Sequence, residues 1–341
     1  MKAYYYVGLD VHKKTISYCV KKSDGTVVKE GALRATRRAV LSWAQSMKVP
    51  WVGAMEATMF TGWVYDTLLG YAEDLQVGHS FMLRAIAASK KKSDRVDARK
   101  LADLLRCDLF PACYMAPQEL RDLRRVLRYR NLLVQEATRM KNKAAGLLME
   151  VGAEYDKERL HGKRYFGALL DRLDYVPPSV VELLKLTRSA LEVFQANQRR
   201  LIGALMNHPE LRHRVQLLMT IPGIGEVTAL AWVLEIGDPH RFSSRKKAVS
   251  YCGLCSAQNE SAGKAKRGPL SKQRNKHLQT VLIEAAKLAP RWNPQLAAVY
   301  ERERSRGANP NEATLAVARK LVAYMLYVDK TEKEFQRRCA A

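Results

Sequence analysis

Two acids, Asp94 and Asp97, stand three residues apart in SDRVDARKLADLL, directly after the cation run Lys90 to Lys92. On a helix that spacing makes neighbours, with about 5–6 Å between Cβ atoms, so both carboxylates are able to face one point. Alone they repel. A divalent cation between them removes the conflict, and a hard ion such as Mg2+ takes oxygen ligands while keeping positions open for water and phosphate. The competing reading is an exposed helix whose acids pair with Arg95, Arg99 and Lys100. Two further acids bear on the choice. Asp10 ends an apolar run in VGLDVHKK, and Glu56 does the same in GAMEAT; an acid in such a place is costly unless something compensates it. Asp10, Glu56, Asp94 and Asp97 thus form a candidate cage for two metals, which stand about 3.5–4 Å apart on a nucleic-acid phosphate. His12, two residues after Asp10, is within reach of the cage but is equally placed as a surface residue at the strand end.

The second group of residues lies far along the chain. Pro222-Gly223-Ile224-Gly225, between apolar helical patterns, resembles a helix-hairpin-helix turn, whose glycines let backbone N–H groups approach a phosphate at a helix N-terminus. An ordinary tight helix connection would favour the same glycines. From Arg241 to Lys276 the chain carries ten Lys or Arg and one acid, Glu260. Within that segment Lys264, Lys266, Arg267, Lys272, Arg274 and Lys276 are candidate phosphate contacts. Ser261 is followed by the small Ala262 and Gly263, which leave a hydroxyl accessible. A serine needs a base or a metal to become a nucleophile, and none is identified beside it.

The elements that must position these residues follow from the pattern. The 341 residues, 47% hydrophobic, suffice for two or three domains with real cores and exclude a disordered chain. The 58 Lys and Arg against 34 Asp and Glu leave +24, so polyanions, nucleic acid first, are the expected partners. Cys19, Cys107, Cys113, Cys252, Cys255 and Cys339 lack disulfide-like density and suit a reducing compartment. The single CxxC, Cys252 to Cys255, has no second pair to complete a zinc site. The N-terminal residues have no signal-like apolar run, and no stretch of about 18 apolar residues offers a membrane span, so a cytoplasmic protein is expected.

Residues 1–115 alternate strands and helices, with Asp24-Gly25 as a hairpin turn and WVGAMEA and LQVGHS as further strands, which predicts a mixed α/β sheet. Residues 116–212 carry a heptad frame through Leu120, Leu123, Leu127, Arg130, Val134, Ala137, Lys141, Ala144, Leu148 and Val151, answered by Leu184, Leu191, Phe194, Leu201 and Leu205. That predicts an antiparallel coiled-coil arm or two helices of a compact bundle. Residues 213–341 form a third, mainly α unit containing the PGIG turn and the basic segment.

The set Asp10, Glu56, Asp94 and Asp97, with SDRVDARKLA, PGIG and GLCSAQNESAGK, resembles the DEDD-type transposases of insertion-sequence family one hundred and ten, relatives of the pilin-gene invertases. The likeness spans nearly the whole chain. It implies a RuvC-like, ribonuclease H-type fold for the first domain and the family's second transposase domain at the C-terminus. It further implies that the four acids bind Mg2+ at the scissile phosphate, and that a serine, here Ser261, attacks it to leave a covalent phosphoserine and a free hydroxyl. A structured RNA from the element's flank would pair with target and donor DNA, and dimers would assemble into tetramers through the helical arms. Glu260 and Ala262 flank Ser261 where serine and glycine are frequent, and SKQRNKHL lacks a glycine often found near Arg274 and Asn275. Ser256 is the rival nucleophile. The expected function is a site-specific, RNA-guided DNA transposase, a bacterial cytoplasmic protein associated with the nucleoid. The alternatives are a metal-only junction-resolving nuclease, which has no need of Ser261, and a non-enzymatic nucleic-acid binder.

Overall fold

The computed structural model describes residues 4–86, 93–261 and 264–336; Lys90 to Lys92, Ala262, Gly263 and Cys339 lie outside the described residues. The chain divides into two compact units, Met1–Gln118 and Glu119–Ala341.

The first unit runs β1 (Tyr5–Val11), β2 (Thr15–Lys21), β3 (Val27–Arg34), α1 (Arg37–Gln45), β4 (Trp51–Glu56), α2 (Thr61–Leu68), β5 (Asp74–Gly78), α3 (Ser80–Ile86), α4 (Asp94–Arg106) and β6 (Ala112–Cys113). The sheet order is β3-β2-β1-β4-β5-β6, with β1, β4 and β5 parallel and the other pairings antiparallel. The Asp24-Gly25 turn joins β2 to β3: Gly25 has φ +90°, and its N–H donates to the Lys22 carbonyl at 3.0 Å. Only glycine takes that conformation without a Cβ penalty.

Alternation along β1 sends its side chains to two different layers. Val7, Leu9 and Val11 join Trp51 and Met55 of β4 in a core with Val40 and Trp43 of α1 and Val64 and Leu68 of α2. The opposite face of the sheet receives α4. At Gly8 a Cβ would stand 2.0 Å from the Ala98 carbonyl oxygen and 2.5 Å from the Ala102 nitrogen, so the helix backbone rests directly on the strand. Lys21 of β2, a buried lysine, clamps α4 through Asp103 at 2.6 Å, and Arg99 grips Glu30 of β3 in a fork at 2.6 and 2.8 Å. Gly8→Ala is therefore expected to destabilise the unit by about 1–3 kcal/mol or more, since overpacking here meets backbone that cannot rotate away. Thermal unfolding measures it, and an unchanged melting temperature would contradict the seating of α4 on β1.

The second unit is mainly helical: α5 (Gln118–Glu150), α6 (Lys163–Leu170), α7 (Pro178–Met206), α8 (Pro209–Met219), α9 (Glu226–Ile236), α10 (Arg245–Tyr251), β7 (Ser256–Ser261), β8 (Lys264–Leu270), α11 (Lys276–Leu288), α12 (Pro294–Ser305) and α13 (Pro310–Thr331). The long helices α5 and α7 run antiparallel. Leu127 and Leu205 share one core with α9, α11 and α13, while Ala144, Leu148 and Leu184 share another with α6, and Gln198 Nε2 donates to the Leu133 carbonyl between them. The buried face of α5 also takes in Leu133 and Leu147, which lie off the heptad frame. Asp329 of α13 is buried and satisfied by both ends of the Arg214 fork at 2.8 Å and by Trp232 Nε1 at 2.9 Å. The β7–β8 hairpin has no counterpart in the sequence reading. Its residues, SAQNES and KAKRGPL, show no apolar alternation from which a strand is read.

Candidate functional site

The close approach at Gly8 carries the first turn of α4 to the C-terminal end of β1. Ser93 caps the helix by accepting from the Val96 N–H at 3.3 Å, and Asp94 and Asp97 occupy the first turn. Asp10 lies on the same face of β1 as Gly8, and the His12 N–H donates to the Thr15 carbonyl at 3.0 Å, folding the chain back at the strand end. His12 Nε2 stands 3.1 Å from Asp10 Oδ2 and 3.6 Å from Asp94 Oδ1. Ligand atoms of Asp10, His12 and Asp94 all lie within 4.8 Å of one another.

The other two acids are near but outside this group. The parallel register pairs Leu9 with Met55, so Asp10 and Glu56, one residue further along each strand, end adjacent strands on the α4 face. Asp97 is 3.7 Å from Lys100 and raises the Asp10 pKa by its charge. Arg95 and Arg99, the alternative partners of the helix acids, instead pair with Glu30 of β3. Asp94 is left 56% exposed beside His12. Attraction to the start of a helix contributes about 0.3–1 kcal/mol for Asp94 and Asp97, but it offers nothing to Asp10 on its strand. Burial pushes the Asp10 carboxyl above its ordinary value, His12 pulls it back, and Asp94 and Asp97 push it up again. A buried carboxylate facing two more carboxylates is a site that a cation relieves. His12 lies just past the end of β1, so the turn after Val11, which strand alternation does not describe, decides that its ring meets the acids.

In the second unit Gly223 has φ +97°, and a Cβ there would meet the Ala289 Cβ at 2.5 Å, so packing alone demands this glycine. Gly225 differs. It caps α9 in an extended conformation, and a Cβ would meet nothing within 4 Å. Both glycines and Lys276 line a cleft of about 960 Å³ between α5, the turn and α11, together with Arg128, Arg130 and His277. Burial and the Arg128 charge hold His277 below its usual range, so it is neutral at pH 7. Gly225→Ser is expected to keep or improve stability by a few tenths of a kcal/mol, because serine caps helices at least as well. It places a side chain in the cleft, so the expected result is intact folding with severalfold weaker DNA binding by anisotropy; unchanged binding would reduce Gly225 to a helix connection.

Glu235 of α9, 1% exposed, anchors one wall of this cleft. Arg128 of α5 forks onto its two carboxylate oxygens at 2.9 Å each, Arg124 stands at 3.6 Å, and Asn275 Nδ2 donates at 2.8 Å. The Asn275 Oδ1 in turn accepts from the His277 and Leu278 N–H groups and caps α11. Burial by itself would raise the Glu235 carboxyl, but Arg128, Asn275 and Arg124 outweigh it and hold the group below the ordinary carboxylate range. No motif signals this network in the sequence. Arg274 donates to the Ser271 carbonyl at 2.8 Å and packs over Gly253. Lys272 is exposed beside it. Cys252 is fully buried, and burial pushes its thiol up to about 12, which keeps it protonated and a poor metal ligand.

Ser261 is the last residue of β7, in register with Lys264, the first of β8, and Lys266 and Arg267 follow in β8 opposite Asn259 and Gln258. The small residues Ala262 and Gly263, on which the sequence reading of an accessible hydroxyl rests, lie outside the described residues. Ser256 starts the same strand.

An α/β sheet unit that gathers acids at one strand end, followed by a helical unit rich in cations, is the arrangement of a DEDD-type transposase, an enzyme class that cuts and rejoins DNA. Residues 7–152 match the DEDD transposase family of the IS110 type, and residues 215–301 match the family described as transposase IS116/IS110/IS902. The chain belongs to the IS110-family insertion-sequence transposases. It is 26% identical over 291 residues to the transposase for insertion sequence element IS1111A of Coxiella burnetii, covering 84% of this chain and 78% of the relative. It is 22% identical over 283 residues to the transposase for insertion sequence element IS1328 of Yersinia enterocolitica, covering 83% of each. Over 132 residues it is 30% identical to the pilin gene-inverting protein of Moraxella bovis, covering 38% of this chain and 41% of the relative. A DEDD domain implies use of a divalent metal, and the carboxylates with one imidazole at the end of β1 are donors that suit a hard ion. Among the described residues no helix is long and apolar enough to cross a membrane.

Proposed function

We propose that this transposase cuts and rejoins DNA site-specifically by attack of the Ser261 hydroxyl on a phosphodiester, with Mg2+ as the metal. The observation that carries the metal part is the meeting of Asp10, His12 and Asp94 within 4.8 Å, with the Asp10 carboxyl buried and its pKa raised. Asp10, Glu56, Asp94 and Asp97 would hold the ion. Bound there, Mg2+ would supply Lewis-acid polarisation of a phosphoryl oxygen. The Ser261 oxygen bonds to phosphorus, the bond to the leaving sugar oxygen breaks, and the chain holds one DNA end as a phosphoserine while the other carries a free hydroxyl. Rejoining is the same displacement by a new hydroxyl. Glycines 223 and 225 with Lys264, Lys266, Arg267, Lys272, Arg274 and Lys276 would contact phosphates.

The strand order β3-β2-β1-β4-β5, three antiparallel strands beside two parallel ones, supports a RuvC-like first domain. The break between the two compact units, after Gln118, lies close to the boundary between domains 1–115 and 116–212, and a helical core of its own around Leu148 and Leu184 suits an arm within 116–212 ahead of the domain 213–341. Leu183, Leu186 and Val193, exposed on α7, suit a coiled-coil arm that pairs protomers into dimers and tetramers. The +24 charge suits target and donor DNA together with an element-encoded guide RNA, in the cytoplasm at the nucleoid.

The test is to incubate the full chain with Mg2+, element-end DNA and RNA from the element's flank, denature, and map any DNA-linked peptide by mass spectrometry. A phosphodiester on Ser261 is the expected product. Cleavage without a protein-linked end would favour the metal-only nuclease, and binding without cleavage the non-enzymatic binder.

A further inference from the structure

A second cleft, of about 890 Å³, opens on the C-terminal unit between α10, the start of β7, α12 and α13. Five cations line it: Arg245 and Lys246 of α10, Arg302 of α12, and Arg319 and Lys320 of α13. Among the described lining residues the only acid is Glu303, already shared by Arg302 at 3.3 Å and Arg306 at 3.7 Å. Arg245 and Lys246 have no carboxylate partner among the described residues, and all five cations are exposed.

A surface kept only for solubility spreads its charges, because like charges crowded into a concavity repel. Two of these cations are also held in place. Arg319 Nε donates to the Leu254 carbonyl at 2.8 Å, which fixes the guanidinium and leaves its remaining N–H groups for a ligand. The Lys320 ammonium sits 5.1 Å from the centre of the Tyr324 ring. Cations oriented before binding lose less freedom when they bind. None of these five residues belongs to the acid cluster or to the glycine-turn cleft.

We propose that this cleft binds a nucleic-acid phosphodiester backbone, as a docking track separate from the glycine turn. Its floor is the start of β7 at Ser256, and the same strand runs on for five residues, roughly 17 Å at 3.3–3.4 Å per residue, to Ser261. A strand gripped by the five cations is thereby led along β7 toward its end. That last step rests on the reading of Ser261 as the nucleophile; the binding itself does not.

The test uses the full chain carrying Arg245→Glu and Lys246→Glu together. Both lie in the first turn of a helix, where acids are favourable, so folding is retained and is checked by circular dichroism. Affinities for single-stranded DNA, duplex DNA and RNA of one sequence are measured by anisotropy across a salt series, in the wild-type and Ser261→Ala backgrounds. The expected result is at least a tenfold loss, with the log–log salt slope shallower by about 2 as two phosphate contacts disappear. Loss confined to DNA or to RNA identifies the source of the backbone. Lys247→Glu, a neighbouring charge reversal outside the cleft lining, is expected to have a much smaller effect. Unchanged affinity for every nucleic acid, an equal effect from Lys247→Glu, or a loss seen only with polyglutamate as ligand would each overturn the proposal. Because binding is read separately from adduct formation, failure of the track and failure of the serine mechanism give different results.

Discussion

Ser261→Ala is expected to abolish the protein-linked DNA end and to lower strand cleavage by about 10³–10⁶-fold, the range in which loss of a nucleophile leaves only binding and electrostatic assistance. DNA binding should persist, since the hydroxyl is not a phosphate anchor. Asp10→Asn is expected to lower cleavage comparably, but with a second signature that the serine variant lacks. The folded protein holds the Asp10 carboxyl above its ordinary pKa because the group is buried and faces Asp94 and Asp97. Such a group favours the folded state below its ordinary pKa, and that contribution is lost as pH rises through the raised value. At neutral pH, in the absence of divalent metal, removing the charge should therefore raise the melting temperature. It should also blunt the further rise that Mg2+ produces in the wild-type protein. Full cleavage by Ser261→Ala would end the serine mechanism, and an unaltered Mg2+ response in Asp10→Asn would move the metal away from β1.

Glu235→Ala is expected to destabilise the second unit by about 1–3 kcal/mol, because it leaves a buried hole and takes the acceptor from the Asn275 amide, while the half-exposed Arg128 regains water. For a unit of this size that is a fall of about 2–12 °C in melting temperature, taking about 2–4 °C per kcal/mol. The pH dependence has the opposite sign to that of Asp10. Folded Glu235 is held below its ordinary range, so its contribution is complete above about pH 4.3, the unfolded value, and is lost as pH falls through the depressed one. Glu235→Gln keeps the shape and one acceptor, so a smaller loss with the acid dependence removed is expected. A melting curve of Glu235→Ala that matched the wild type would show that the arginine fork is replaceable by solvent.

The candidate acids were readable because each broke a local rule. Asp10 and Glu56 interrupt apolar strands, and Asp94 and Asp97 crowd like charges onto one helix face after a cap residue, Ser93. The hairpin at Asp24-Gly25 and the strands at Trp51 and Leu75 were readable for the same reason, since turn residues and β-branched runs act within a few residues of chain. The β7–β8 hairpin was not, because its strands are polar on both sides and owe their pairing to the backbone. Nor was the Glu235 network, whose four members, Arg124, Arg128, Glu235 and Asn275, come from two helices and the cap of a third.

By itself the sequence determined the class of chemistry, acids for a metal and cations for phosphate, because residue type and short-range spacing suffice to state which groups repel, ligate or pair. It also determined that Asp10 and Glu56 each interrupt an apolar run, while the β1–β4 register that sets them side by side belongs to the fold. Only the tertiary structure decided which acid sits next to which. Gly8 lets the α4 backbone rest on β1, Glu30 draws Arg95 and Arg99 away from the helix acids, and the turn after Val11 brings His12 to both Asp10 and Asp94. Those choices depend on contacts between segments some 65 to 90 residues apart, where steric fit and burial settle the geometry and local propensity has no part.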